Sequence, residues 1–400
     1  MKKLSKRYRK ILIYRALKGM HSRQVFRHKR TKSSSYVTLW DGISEERALC
    51  QSPPTTPPKN IDFEENIEET LSFLKVIRDR LGKKKTTPRH RLTWIKRRKN
   101  KKPIIKSYYD FSAIERLDIA PALVIAAAYD RAKRLTGSVP PAVNYTQWTK
   151  SAFQTLYEIG FFDLIGQKHH DKITKEYEDK LDSNIRICRA ISGKNADNLN
   201  LCSDTMSELL KFLTEDESIV EEYIPDINTA VSEAMINVSR HAYPQEYSVK
   251  SIYDTVNQWW ITARADKINH TINIVIYDQG ASIPGTLPYK GRFQEMVEVY
   301  IKPLLPEFKY SDDFRRMDHE YINYSMKPGR TQTQNPERGL GLPQMQGLIN
   351  LCEDGYIMVI SRAGFYRYGK GTGITKRALP IELEGTLVEW HLSLPSRKAQ

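Results

Sequence analysis

Four segments between residues 258 and 395 limit the fold more than anything else in the sequence. They are "QWWITARAD" (258–266), "TINIVIYDQ" (271–279), "GYIMVISRAG" (355–364) and "TLVEWHLSLP" (386–395). Each is rich in β-branched or aromatic residues and alternates or runs apolar over most of its length, which predicts strands. Two segments before them, "LCSDTMSELLKFLTED" (201–216) and "INTAVSEAMINVSRHAY" (227–243), carry apolar residues three or four apart and predict helices. Helices first and strands later predict an α+β fold, a two-layer sandwich of helices on one face of a mixed sheet, over residues 183–400.

The front of the chain has a different pattern. "PIIKSYYDFS" (103–112) and "AVNYT" (142–146) predict strands, while "APALVIAAAYDRAKRL" (120–135) and "SAFQTLYEIGFFDLI" (151–165) predict helices. This alternation defines a small α/β unit over 103–182, with 166–182 as a polar connector. Residues 1–102 form a basic region. It contains the Pro-rich linker "QSPPTTPPKN" (51–60) and one amphipathic helix over 61–81, marked by Ile67, Leu71, Leu74, Ile77 and Leu81. Some helical patterning, at Leu4, Ile11, Leu12 and Leu17, also runs through 1–32.

Charge separates these regions. The whole chain has 63 Lys or Arg against 47 Asp or Glu, a net of +16. Residues 1–106 hold 30 of the former and 9 of the latter, a net of +21, so the remainder sums to −5. Segments 1–32 and 83–106 contain no acidic residue, and Tyr8, Tyr14 and Trp94 lie among their cations. Such segments suit an anionic partner, and the aromatic rings suit stacking on bases. A solvated basic arm is the alternative. No apolar run reaches the length of a membrane span, the N-terminus lacks the apolar core of a secretory signal, and the four cysteines show neither metal spacing nor disulfide density. The expected setting is the cytoplasm, with no membrane partner.

Within 183–400, four short pieces carry chemistry. "SEAMINVSRHAY" (232–243) stacks Glu233, Asn237 and then Arg240 or His241 along one helical stripe. In "YDQGASIPG" (277–285), Asp278 ends an apolar strand, and Gly280 and Gly285 follow. "ERGLGLPQMQGLI" (337–349) has Arg338, Gly339 and Gly341 opening a helix. "LEGTLVEW" (383–390) takes Gly385 and Thr386 into a strand. Singly, each is an ordinary turn, helix start or strand entry. Their order and local context together carry the argument.

In that order the pieces resemble the N, G1, G2 and final Gly-Thr motifs of the GHKL ATP-binding fold, shared by gyrase, MutL, sensor histidine kinases and anti-sigma-factor kinases. The resemblance covers about residues 185–395. It implies a helix-on-sheet pocket for ATP and Mg²⁺, closed by a lid. By the same resemblance, Asn237 is the metal ligand and Glu233 the carboxylate that activates water. Arg240 faces phosphate, and Asp278 takes the adenine amino group. Gly280 and Gly285 give close passage to the base, and Thr386 supports Asp278 through its hydroxyl or a water. Gly339 and Gly341 turn main-chain N–H groups to the phosphates at a helix start, where the dipole also favours anions. Arg338 stands where many relatives carry another glycine; it clamps the γ-phosphate or caps the lid. The interval from Gly280 to Gly339 is long for a lid. No phosphoacceptor-histidine helix pair precedes the pocket, which disfavours a self-phosphorylating histidine kinase; His169 and His170 lie in the polar connector.

The unit at 103–182 resembles a STAS-like domain in pattern. Where signalling members carry a phosphorylated serine, this chain reads Leu117-Asp118-Ile119-Ala120 and offers no hydroxyl. The leading expectation is an ATP-binding regulatory protein with slow Mg-dependent ATPase activity. In it, nucleotide orders the lid and changes how the front half meets a protein partner. Two alternatives use other chemistry: an anti-sigma-type serine protein kinase, and a nucleic-acid binder regulated by ATP. A signalling role follows by family analogy.

Overall fold

The computed structural model describes residues 36–40, 45–50, 55–82, 95–98, 101–105, 108–166, 180–195, 198–244, 253–286, 293–307, 309, 315–327 and 341–395. Segment 1–32 with its helical patterning, most of 83–106 with Trp94, and residues Arg338 and Gly339 lie outside the described residues. No described helix is long and apolar enough to cross a membrane.

The fold is mixed α and β. The front half runs β1 (Tyr36–Trp40), β2 (Glu45–Cys50), β3 (Asn60–Ile61), α1 (Ile67–Gly82), β4 (Ile95–Arg98), β5 (Lys101–Ile105), β6 (Tyr109–Asp110), β7 (Arg116–Leu117), α2 (Ile119–Thr136), β8 (Ala142–Val143), α3 (Lys150–Glu158) and α4 (Phe161–Leu164). The second half runs β9 (Ile185–Ile187), β10 (Ile191–Gly193), α5 (Leu199–Leu213), α6 (Glu217–Asn237), β11 (Trp259–Asp266), β12 (Thr271–Asp278), α7 (Ile283–Thr286), α8 (Phe293–Met296), α9 (Asp318–Ser325), α10 (Gly341–Leu351), β13 (Asp354–Gly369) and β14 (Gly373–Ser393).

The expected helix over 61–81 begins later, at Ile67, because the Asp62 carboxylate accepts the backbone N–H groups of Glu64, Glu65 and Asn66 and holds them in a turn. Ile67, Leu71, Leu74, Ile77 and Leu81 are all buried, as their spacing requires. The expected strand over 103–112 is divided between β5 and β6. Strands β1, β2 and β4 arise where the sequence pattern pointed to no strand. They join β5, β8 and β6 in one sheet of order β4-β5-β2-β1-β8-β6. That sheet therefore has strands on both sides of the division drawn at residue 102.

The second-half sheet has the order β10-β11-β12-β14-β13, with β9 also paired to β11. Every pairing described in it is antiparallel, so the expected mixed sheet is corrected. Tight connections explain this: β11 turns into β12, and β13 into β14, without a crossover. β14 then enters between β12 and β13.

The sheet also has more than one covered face. Ile272, Ile274 and Ile276 of β12 pack with α5, α6 and α10. Val275 and Tyr277, on the opposite face, pack with α1 and α2, together with Met358, Ile360 and Leu387. All eight residues of β12 are buried, which is the signature of a strand covered on both sides. The expected two-layer sandwich is thus three layers deep, with helices of the front half as the third. α2 suits this place because thirteen of its eighteen residues are buried, seven of them alanine or proline, so it lies close to the strands. Trp260 Nε1 donates to Asp130 Oδ2 at 2.9 Å, and Arg131 Nη1 to Glu384 Oε1 at 2.9 Å, linking α2 to β11 and β14.

Candidate functional site

The candidate site lies where the end of β12 and the middle of β14 meet the C-terminal end of α6. α6 starts on Asp216, whose carboxylate accepts the Ser218 N–H at 3.0 Å. Its apolar face, including Ile227, Ala230, Val231, Ala234 and Met235, is buried in the sheet-facing core. Glu233 and Asn237 stand one turn apart on the flank of that face, both half-buried. Beyond Asn237 the helix widens into a π turn, Val238–Ala242, whose hydrogen bonds reach one residue further back than in an α-helix. Arg240 and His241 lie in this turn and are exposed.

The π turn is an anchor for the second piece. Ala281 N donates to Ala242 O at 2.7 Å, and a Cβ at Gly280 would overlap that same carbonyl. Only glycine permits so close a backbone approach. Tyr243 adds a clamp, accepting from Gln279 N at 3.0 Å and donating to Gln258 O at 2.6 Å. Gly285 lies in the short α7, where its N–H donates to Ser282 Oγ at 3.1 Å.

Asp278 ends β12 and is only 4% exposed. Its Oδ1 accepts the Gly280 N–H at 2.7 Å, and Thr386, its partner across β12 and β14, supplies a second backbone N–H. Burial pushes the carboxyl up to about 7, against the pull of those two N–H groups, and the nearby Glu384 adds to the rise. No ion pair to Asp278 occurs among the described residues. The Thr386 hydroxyl lies against Ser361. It makes a 2.8 Å hydrogen bond with Ser361 Oγ, and the support for Asp278 comes from the Thr386 main chain. Ser361 is fully buried, and its Oγ accepts the Ile283 N–H at 2.9 Å. Gly385 has φ +76°, and a Cβ there would overlap the Asp278 carbonyl.

Two participants were not picked out in the sequence pattern. Ser361 is the inward hydroxyl of an otherwise apolar strand, a visible signal. The β-bulge that follows it, with register shifts at Arg362 and Gly364, leaves no such mark. Fully buried Asp318 holds the bulge by pairing with the Arg362 guanidinium and accepting the Ala363 N–H at 2.9 Å. Bulges of this kind recur next to functional sites because they re-aim a strand.

The third piece meets the others through α10, which begins at Gly341. Asn237 Nδ2 approaches Met345 Sδ at 3.8 Å, and Trp390 Nε1 donates to Met345 O at 2.9 Å. All four pieces are therefore joined: 232–243 to 277–285 through Ala242, 277–285 to 383–390 through the Asp278–Thr386 pair, and α10 to both α6 and β14. Chemically, the assembly offers a buried acceptor-only carboxylate at the end of a strand. It also has an amide and a carboxylate on a helix flank, and the start of an eleven-residue helix. No protein-family model matches this chain, and no curated protein matches it.

Proposed function

We propose that the chain binds ATP with Mg²⁺ at this site in the manner of the GHKL family, and acts as a slow ATPase or nucleotide-controlled regulatory protein. The observation that supports this reading is that the described parts of four pieces, remote in sequence, are joined by contacts between the end of α6, the end of β12, β14 and α10. The residues fit the ligand. Asp278 is buried and takes only N–H donors, so it suits an adenine amino group. Asn237 would hold Mg²⁺ through its side-chain oxygen, with phosphate and water oxygens completing the set, and the metal would supply charge neutralisation at the phosphates. Glu233 offers a carboxylate one turn away that can take a proton from water. The STAS-like reading of 103–182 gives the front half its role. Its helices share a core with the sheet, so a change at the site reaches the front half by direct packing. Ile119 is buried at the start of α2, which gives this unit no phosphoacceptor there.

Titration of the full chain with a fluorescent ATP analogue tests the reading. Asn237→Ala is expected to abolish the gain in affinity that Mg²⁺ brings. Glu233→Gln is expected to leave binding within about threefold while lowering phosphate release by about 100-fold, within the range of general-base effects. Mg²⁺-dependent binding that persists in Asn237→Ala would sink the metal assignment.

The Asp278 carboxyl also sets a pH dependence. The ionised form accepts the amino group, and a group titrating at about 7 is mostly protonated below that pH. ATP affinity is therefore expected to be level above pH 8 and to fall as pH drops through 7, by about tenfold per unit at the limit. Titrations from pH 5.5 to 8.5 read this directly; a flat profile contradicts it.

A further inference from the structure

A second cavity lies on the opposite face of the sheet and at the other end of β12 from Asp278. Its volume is about 530 Å³, within the range of small-molecule sites, and it sits between the front half and the sheet. Asn273 of β12 and Glu389 of β14 line it, with His391 and Tyr356 beside them and Asp118 and Lys150 across from them.

The lining has an excess of negative charge. Glu64, Asp118, Asp182, Asp266 and Glu389 face three cations, Arg116, Lys150 and Arg264. Both arginines are committed: Arg116 pairs with Asp118 and Arg264 with Asp266, each at 3.1 Å. Glu389 is the carboxylate most in need of a partner. It is 7% exposed, and its Oε1 accepts from Asn273 Nδ2 at 2.9 Å. No cation pairs with it among the described residues. Asn273 commits its Nδ2 to this bond, which leaves Oδ1 as a second acceptor. The wall is flat and aromatic where Tyr356 stacks on His391, with ring centroids 5.1 Å apart and planes 9° apart.

We propose that this cavity binds a small organic cation, an alkyl amine or guanidinium, which pairs with Glu389 and donates to Asn273. Burial pushes Glu389 up to about 8, with Asp118 and Glu64 adding to the rise and the Asn273 hydrogen bond and the more distant Arg367 opposing it. An ammonium or guanidinium supplies the missing charge together with N–H donors for both acceptors. Lys150 is exposed at the start of α3 and makes no ion pair among the described residues, so it opposes such a ligand from the rim.

Calorimetric titration of the full chain, without nucleotide, tests this with three probes: spermidine, agmatine and tetramethylammonium. At least one of the first two is expected to bind one to one. Tetramethylammonium, a cation without N–H groups, is expected to bind at least tenfold more weakly. Glu389→Gln is expected to weaken the amine at least tenfold, and Lys150→Glu to strengthen it about threefold. Absence of amine binding, equal binding by tetramethylammonium, or unchanged affinity in Glu389→Gln overturns the proposal. Should Glu389→Gln fail to fold on thermal melting, Lys150→Glu decides, and no gain in affinity there overturns it. These titrations share no ligand and no substituted residue with those of the ATP site, so either can fail alone.

Discussion

Asp278→Asn is expected to weaken ATP binding by about 100-fold while leaving the chain folded. The asparagine can keep its Oδ1 toward the Gly280 N–H, so at least one of the two backbone bonds to this side chain is retained. What changes is the other end of the group. A carboxylate accepts from an adenine amino group, whereas a side-chain NH₂ in its place opposes one donor with another. Losing a hydrogen bond to a charged acceptor costs about 1.5–3 kcal/mol, and an unpaired buried donor adds to that. Inosine triphosphate sharpens the measurement, since it carries a carbonyl where adenine carries the amino group. The parent is expected to prefer ATP strongly, and Asp278→Asn to lose that preference or reverse it. An unchanged ratio of the two affinities in the variant would remove Asp278 from the base pocket.

The second large effect is expected at Arg131. Its side chain is fully buried in α2 and pairs with Glu384, itself 4% exposed by its side chain. Arg131 Nε and Nη2 and Glu384 Oε2 have no hydrogen-bond partner among the described residues. Arg131→Ala leaves the Glu384 carboxylate buried without its cation, and breaking such a pair costs about 3–5 kcal/mol. The double change Arg131→Met with Glu384→Gln removes both charges and is expected to regain most of that loss, because a buried ion pair contributes little beyond an apolar replacement. Urea unfolding of the three chains gives the comparison. A loss under 1 kcal/mol in Arg131→Ala would show that the guanidinium does not neutralise Glu384. Glu384 directly precedes Gly385 and Thr386, so Arg131→Ala is also expected to disturb the backbone that holds Asp278.

Much of this architecture was legible in the residues. The spacing of Ile67, Leu71, Leu74, Ile77 and Leu81 marked α1, and the apolar runs marked β11 to β14. The four pieces were visible in their order, and glycines 280 and 385 stand where the backbone approaches most closely. Other features left weaker traces. The third layer was implied by "TINIVIYD", which runs apolar instead of alternating, but helical cover from the front half is a long-range event with no local signal. β14 extends back to Gly373 through a polar, mostly exposed arm whose residues carry no burial pattern. The π turn after Asn237 depends on one additional residue per turn, which side-chain chemistry does not announce.

The strand order of the second sheet bears on how the chain is made. β12 and β13 are separated in space by β14, the last of the three to leave a ribosome. Until it arrives, β12 has a partner on one edge only, and β13 has none in this sheet. Thr386, which supports Asp278, and Glu389, in the second cavity, both arrive on that late strand. A nascent chain stalled before residue 386 would therefore present an open edge and neither site. Until β14 joins it, the unpaired edge of β12 is open to pairing with other strands.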